Sequence, residues 1–351
     1  MNINDYNLQD NFIPSALNPA FEMEDWWVWC GSVIKENGKY HMFASRWPKY
    51  LPFHPGWGMA SEIVRAESDK LEGPYEFREV VLKERGSGYW DGRSTHNPSI
   101  QKHDDTFILF YTGMTYPYPK ITKEDNLNHF STEWLASRSS KRIGIATSKN
   151  IEGPWIRPDK PAIDVRAGYF DDFFVSNPAP CVKKDGSVLL VYKTRTYKKP
   201  PYDSKDGDMF STMKLGIAYT DYYTKPFVRL SNKPLFYEKD GTLEDPFIWE
   251  TDTGYSMIAK DWSGNYTNEI GSGVYAKSTD GINWDVKKDF KAFSLDIPNN
   301  SGSTTHFGNM DRPFIYIEDN KMIGFFTAVN DGKDAQFQTL SRSWNAFIPL
   351  K

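Results

Sequence analysis

Five segments of this chain follow one plan, and that repetition limits what it can fold into. They are "CGSVIKENGKYHMFAS" from Cys30, "NPSIQKHDDTFILFYTG" from Asn97, "NPAPCVKKDGSVLLVYKT" from Asn177, "DPFIWETDTGYSMIAKD" from Asp245 and "RPFIYIEDNKMIGFFTAV" from Arg312. Each has a short apolar run, a polar turn and a second apolar run, the pattern of a β-hairpin. The turns are Asn37-Gly38, Asp104-Asp105, Asp185-Gly186, Asp252 to Gly254, and Asp319-Asn320. The second residue of each segment is Gly31, Pro98, Pro178, Pro246 or Pro313. The starts lie about 67, 80, 68 and 67 residues apart, a period suited to four-stranded units.

A second pattern follows the hairpins. "EIVRAESDKLEGPYEF", "IGIATSKNIEGPWIR", "LGIAYTDYYTKPFVR" and "SGVYAKSTDGINWDV" each read as a third strand, a polar turn and an aromatic-bearing fourth strand; "FQTLSRSWNAFIPL" is a worn fifth copy. The expected fold is all-β, a five-bladed β-propeller with four antiparallel strands per blade. Residues 25–351 make one propeller, and residues 1–24 an extended lead-in. A sandwich array fits poorly, because no long linkers separate the repeats. The many aromatics (12 Trp, 20 Tyr, 23 Phe) suit strands better than a helical bundle.

Charge and hydropathy exclude other classes. A formal charge of −4 argues against a nucleic-acid partner. No apolar run reaches membrane-spanning length, so no membrane partner is expected. The first residues lack a basic start and an apolar core, so a cytoplasmic location is expected. Cys30 and Cys181 form neither a metal motif nor a disulfide framework, and no His/Cys spacing suits zinc.

The hairpins, together with the Ser-(Asp/Lys)-x-x-x-Gly-Pro-aromatic runs at Ser68–Tyr75 and Ser148–Trp155, resemble the five-bladed propeller glycoside hydrolases of families 43, 62, 32, 68, 117 and 130. The resemblance spans nearly the whole chain, with families 43 and 117 nearest. It implies a carbohydrate substrate held in a funnel at one end of the propeller axis, acids near the first strand of each blade, and inversion as the favoured course. No cofactor is required; a calcium ion in the axial channel is the one metal the resemblance leaves open. Family 43 begins its first blade with an Asp-Pro pair that carries the base, whereas this chain has Cys30-Gly31. "LEDPFIW" resembles the Glu-x-Pro element that carries the acid, and "THFGNMDRPFIY" places a histidine before a blade, as in family 117.

If the leading residues of the inner strands converge, they form a ring of Cys30, His96-Asn97, Ser176-Asn177, Glu244-Asp245 and Asp311-Arg312, with Asp91, Asp171 and His306 in loops before it. Glycoside hydrolysis needs one group to protonate the leaving oxygen and another to activate water or attack the sugar. Asp91 is the expected base, although it also reads as a turn acid, and Asp171 shares its frame. Asp245 is an orienting acid, and either Glu244 or His306 is the proton donor. Strand alternation lets only one of Glu244 and Asp245 face the sugar. Trp29, His96, Asn97, Asn177, Asp311 and Arg312 are the expected substrate contacts, with Arg312 equally readable as an ion pair. One or two of the early tryptophans (Trp26, Trp27, Trp29, Trp47, Trp57, Trp90) are expected to touch ligand, while His41 and His103 read as structural. A non-catalytic sugar-binding propeller is the alternative. A phosphorylase like family 130 is another, but it needs a basic phosphate pocket, for which only Arg312 and Arg93 stand out. Sugar, linkage and oligomeric state are left open.

Overall fold

The computed structural model describes residues 7–128, 131–198, 211–237, 241–287, 290–332 and 340–351. Five antiparallel sheets follow one another around an axis, each led by one of the five hairpins. The inner strands are Trp26–Glu36, Ser94–His103, Phe174–Val182, Leu243–Thr251 and Asp311–Glu318, blades one to five. The second strands, Lys39–Pro48, Thr106–Met114, Val188–Arg195, Gly254–Asp261 and Lys321–Asn330, return outward. In blade two the outermost position is held by bridges, Thr147 to Ile156 and Ile143 to Ile163, in place of a regular fourth strand. Aliphatic and aromatic side chains pack between neighbouring blades, as where Trp249 and Tyr275 of blade four meet Ile315 and Phe325 of blade five. No helix among the described residues is long and apolar enough to cross a membrane.

Blade five departs from the expected plan. The start of its worn copy, 337–339, lies outside the described residues. Its third strand is Ser343–Pro349, and its outer strand comes from the other end of the chain: Pro19–Phe21 pairs antiparallel with it, Pro19 opposite Ala346 and Phe21 opposite Asn345. The lead-in therefore also closes the ring. It contains one helical turn, Leu8–Asn11.

Every inner strand bulges at the same place. In blade one the Trp29–Ser45 pair is followed by Ser32–Phe43, so Cys30 and Gly31 together oppose one residue; the other four blades repeat the shift. The bulged residue is left-handed each time: Cys30 (φ 59°), Asn97 (53°), Asn177 (49°), Asp245 (52°) and Arg312 (53°). The proline after it in four blades has no N–H for the ladder, which suits a bulge. In blade one that place is Gly31, whose N–H donates to Asn345 Oδ1 of blade five at 2.7 Å. Proline would remove that donor, and a Cβ there would lie 2.8 Å from the same oxygen.

Bulged backbone also ties blade to blade. Asn97 N–H donates to Ser45 Oγ at 3.0 Å, Asn177 N–H to Thr112 Oγ1 at 3.1 Å, and Arg312 N–H to Asp245 Oδ2 at 3.0 Å.

Candidate active site

The bulges decide which side chains meet on the axis. An unbroken strand would turn neighbouring residues to opposite faces; a bulge breaks that alternation. Trp29 and Cys30, His96 and Asn97, Glu244 and Asp245, Asp311 and Arg312 therefore all line one cavity of about 350 Å³. The expectation that only one of Glu244 and Asp245 faces it is corrected by this geometry.

The five bulged residues join hands beneath the cavity. Cys30 Sγ donates to Asn97 Oδ1 at 2.8 Å, and Asn97 Nδ2 to Asn177 Oδ1 at 2.6 Å. Asn177 Nδ2 donates in turn to Asp245 Oδ1, and Arg312 Nη1 lies 3.7 Å from that oxygen. The side chains of Asn97 and Asn177 are thus engaged in the floor itself. Burial holds the Cys30 thiol well above its ordinary range, against the pull of Arg312, so Cys30 is a proton-bearing donor rather than a base. The ring suits calcium poorly, since it offers a thiol and a guanidinium where that ion takes six to eight oxygens; no group of three or more acidic, His or Cys side chains among the described residues forms a metal cage.

The residues one step above the floor line the cavity as well, apart from Ser176. Each is paired across its hairpin with a second-strand residue: Trp29 with Ser45, His96 with Thr112, Ser176 with Lys193, Glu244 with Lys260, Asp311 with Ala328. Lys193 reaches to the next blade and bonds Glu244; Lys260, fully buried, does the same to Asp311. Burial alone would raise the Glu244 pKa, but Lys193 and Lys260 outweigh it and hold Glu244 below the usual range. For Asp311, burial outweighs Lys260, and with Asp245 and Glu244 nearby its pKa is pushed up to about 6. His96 accepts or donates at Ser61 Oγ, 2.8 Å from its Nδ1, and stacks on Trp57 at 4.9 Å. Burial, then Lys141, Arg312 and Lys193, keep its pKa well below 6.5, so it is neutral.

The walls come from insertions between second and third strands. Helix Phe53–Ala60 of blade one, broken at His54-Pro55, brings Phe53, His54 and Trp57 to the cavity. Helix Thr132–Ser139 of blade two brings Trp134 and Arg138. Of the early tryptophans, Trp29, Trp47 and Trp57 line the cavity; Trp26 stacks under Arg46 and Trp90 on Tyr111. His41 and His103 sit in hairpins, bonded to Arg65 and to the Lys184 carbonyl.

Two expected catalytic residues lie elsewhere. Asp91 is fully buried outside the cavity lining, accepting from Arg85 Nε (2.7 Å), Tyr111 Oη (2.7 Å) and Arg157 Nη1 (3.4 Å). Asp171 repeats the cage with Arg166, Tyr192 and Arg229. His306 is exposed on the hairpin Asp296–Pro298/Thr304–His306, its Nδ1 2.8 Å from Asp296 Oδ1. Arg93 is likewise absent from the lining, bonding Glu84 and the Tyr118 carbonyl. The sequence reading missed Arg138, Lys141, Lys193 and Arg195, all of which line the cavity. Lys193 could have been found from its place in "VLLVYKT", opposite Ser176; Lys141 and Arg138 lie outside the repeat and left no such signal.

Solved structures with the same arrangement are well represented. A family 117 glycoside hydrolase, Zg3597 of the marine bacterium Zobellia galactanivorans, matches over 98% of this chain and 91% of its own, with a TM-score of 0.65 and 15% identity. A complex of BT0996 with RGII covers 98% and 93%, at TM-score 0.68 and 16% identity. A thermostable family 43 glycoside hydrolase covers 96% and 93%, at TM-score 0.61 and 13% identity. The fold is that of the five-bladed propeller glycoside hydrolases. No protein-family model matches the sequence, and no curated protein does.

Proposed function

We propose that this chain is a glycoside hydrolase acting at the cavity over the axial ring. One observation carries the reading: Glu244, Asp245 and Asp311, from adjacent inner strands, meet under an aromatic wall in surroundings that push Glu244 and Asp311 apart in acidity. Carboxyls separated in this way divide acid from base. Asp311 is the proton donor: Lys260 engages Oδ1, which leaves Oδ2 for the proton passed to the leaving oxygen as the glycosidic C–O bond breaks. Glu244, ionised beside Lys193, takes a proton from the water that attacks the anomeric carbon, with inversion. Asp245 holds the ring in register between Asn177 and Arg312. Trp29 and Trp57 offer faces for sugar C–H surfaces, and neutral His96 a hydrogen bond for a hydroxyl. Asp91 and His306 are structural and surface groups in this scheme.

A screen of aryl glycosides and natural oligosaccharides tests the reading. Hydrolysis should fall by about 10²–10⁴ in Glu244→Gln and in Asp311→Asn, the usual span for general acid–base groups, with the Asp311→Asn loss smallest on activated leaving groups. A sugar-binding propeller without turnover is the second reading, favoured by the thiol at Cys30 where family 43 has an acid; sugar binding with no hydrolysis of any glycoside would decide for it.

A further inference from the structure

Each carboxylate of the cavity already has its own cation. Lys193 serves Glu244, Lys260 serves Asp311, and Arg312 stands beside Asp245. Lys141 is left over. It lies just before the third strand of blade two, is 2% exposed, and lines the cavity. Its ammonium sits over the rings of Trp57 (4.2 Å), Phe174 (4.7 Å) and Trp134 (5.6 Å). Among the described residues the Lys141 ammonium makes no hydrogen bond and no ion pair, although its backbone carbonyl accepts from Val175 N–H and Arg142 Nη1. Ring faces offset only part of the dehydration of an ammonium. A second cationic donor has hydrogen-bonding capacity to spare: Arg312 Nη1, 3.7 Å from Asp245 Oδ1, is buried with no hydrogen-bond partner among the described residues, and Arg312 also lines the cavity. The lining as a whole holds Arg138, Lys141, Lys193, Arg195 and Arg312 against Glu244, Asp245 and Asp311.

We infer that the cavity takes an acidic sugar, one bearing a carboxylate or sulfate, and that Lys141 receives the negative charge. This rests on the reading of the cavity as a sugar site and adds the class of sugar. The aromatic cage positions the ammonium and excludes water, so the ion pair forms in a dry site where it discriminates strongly against a neutral hydroxymethyl. The groups facing Lys141 are Arg138 from the blade-two helix, Lys193 and Arg195 from blade three, Glu244 from blade four and His96 from blade two. Burial and the first three hold Lys141 well below its ordinary pKa, with only Glu244 opposing. A bound anion opposes that shift, and affinity for it weakens as pH rises through the Lys141 titration.

Titration calorimetry on the full chain tests this without requiring turnover. Glucuronate, glucose, galactose 6-sulfate, galactose and inorganic phosphate are the probes. Glucuronate should bind at least about tenfold tighter than glucose, or galactose 6-sulfate than galactose, as expected of one charge-assisted hydrogen bond. Lys141→Met should erase that preference. Lys141→Gln, which keeps a donor without the charge, supplies the same comparison if the methionine variant folds poorly. Equal affinity for acid and neutral sugars, or a preference that survives both variants, overturns the inference. So does phosphate binding tighter than either acidic sugar, since the charge would then serve an inorganic anion. A protein that prefers acidic sugars but hydrolyses none leaves this inference standing and removes the hydrolase reading; one that hydrolyses neutral glycosides without preferring acids does the reverse.

Discussion

Asp91→Asn separates a cage from a catalyst. The wild-type carboxylate is fully buried and accepts from two guanidinium groups and a phenol. Asparagine keeps the shape but loses the charge, and its amide nitrogen faces donors. Breaking a buried ion pair from one side costs about 3–5 kcal/mol. The low end applies, because Arg85 retains Asp159 and the Pro158 carbonyl, and Arg157 retains the Lys83 carbonyl. Unfolding entropy near the midpoint is about 2.1 cal/mol/K per residue, on the order of 0.7 kcal/mol/K for a chain of 351 residues. A loss of about 3 kcal/mol then lowers Tm by roughly 4 °C. Calorimetric scans should show that shift, and kcat/KM at 25 °C on any hydrolysed glycoside should stay within about threefold of wild type. Asp171→Asn should behave alike, since Arg166, Tyr192 and Arg229 build the same cage. A hundredfold fall in kcat with an unchanged Tm would refute the reasoning and make Asp91 the base.

Because the Asp311 pKa is raised to about 6 and the donor must carry its proton, kcat/KM should fall as pH rises through about 6; Asp311→Asn should remove that limb, and a limb unchanged in the variant would point to another acid. Glu244 is held below the usual carboxylate range, so the acid-side limb should lie below the ordinary glutamate value, and Lys193→Met should move it up. Gly31→Ala sets a Cβ 2.8 Å from Asn345 Oδ1 and should cost about 1–3 kcal/mol in thermal or urea unfolding; in an Asn345→Ala background the loss should shrink, and strict additivity would mean the clash is elsewhere. Removal of residues 1–22 takes away the outer strand of blade five and bares an edge that pairs with other chains, so light scattering should show self-association; a monomeric, equally stable product would contradict the pairing.

Much of the fold could be read from the residues because the repeat encodes itself locally. Each hairpin carries its own turn, and in four of the five a proline follows the bulged residue and marks its place. The floor residues follow from that fixed place, which is why Cys30, Asn97, Asn177, Asp245 and Arg312 align by sequence alone. Alternation failed at Glu244-Asp245 because a bulge is invisible to a period of two. Asp91 shows the opposite hazard: its recurrence as Asp171 is explained by a cage needed in two blades, and repetition alone cannot separate a cage from a catalyst. Lys193 and Lys260 sit on second strands, and only the cross-strand register reveals that they reach the next blade's acids. Lys141 and Trp134 come with a helical insertion outside the repeat. The outer strand of blade five was not legible as such, since its partner lies more than three hundred residues away.

That distant pairing has a consequence for how the ring is made. Pro19–Phe21 leaves the ribosome long before Ser343–Pro349 exists, so during synthesis the earliest strand has no seat and the growing arc of blades stays open. Local hairpins can form as they emerge, whereas the seam waits for Ser343–Pro349 and carries a high loop-closure cost. The exposed inner faces of a partial arc are also the surfaces most prone to mispairing during that wait. Emergence of Ser343–Pro349 is thus the event that lets separable hairpins close into one cooperative body.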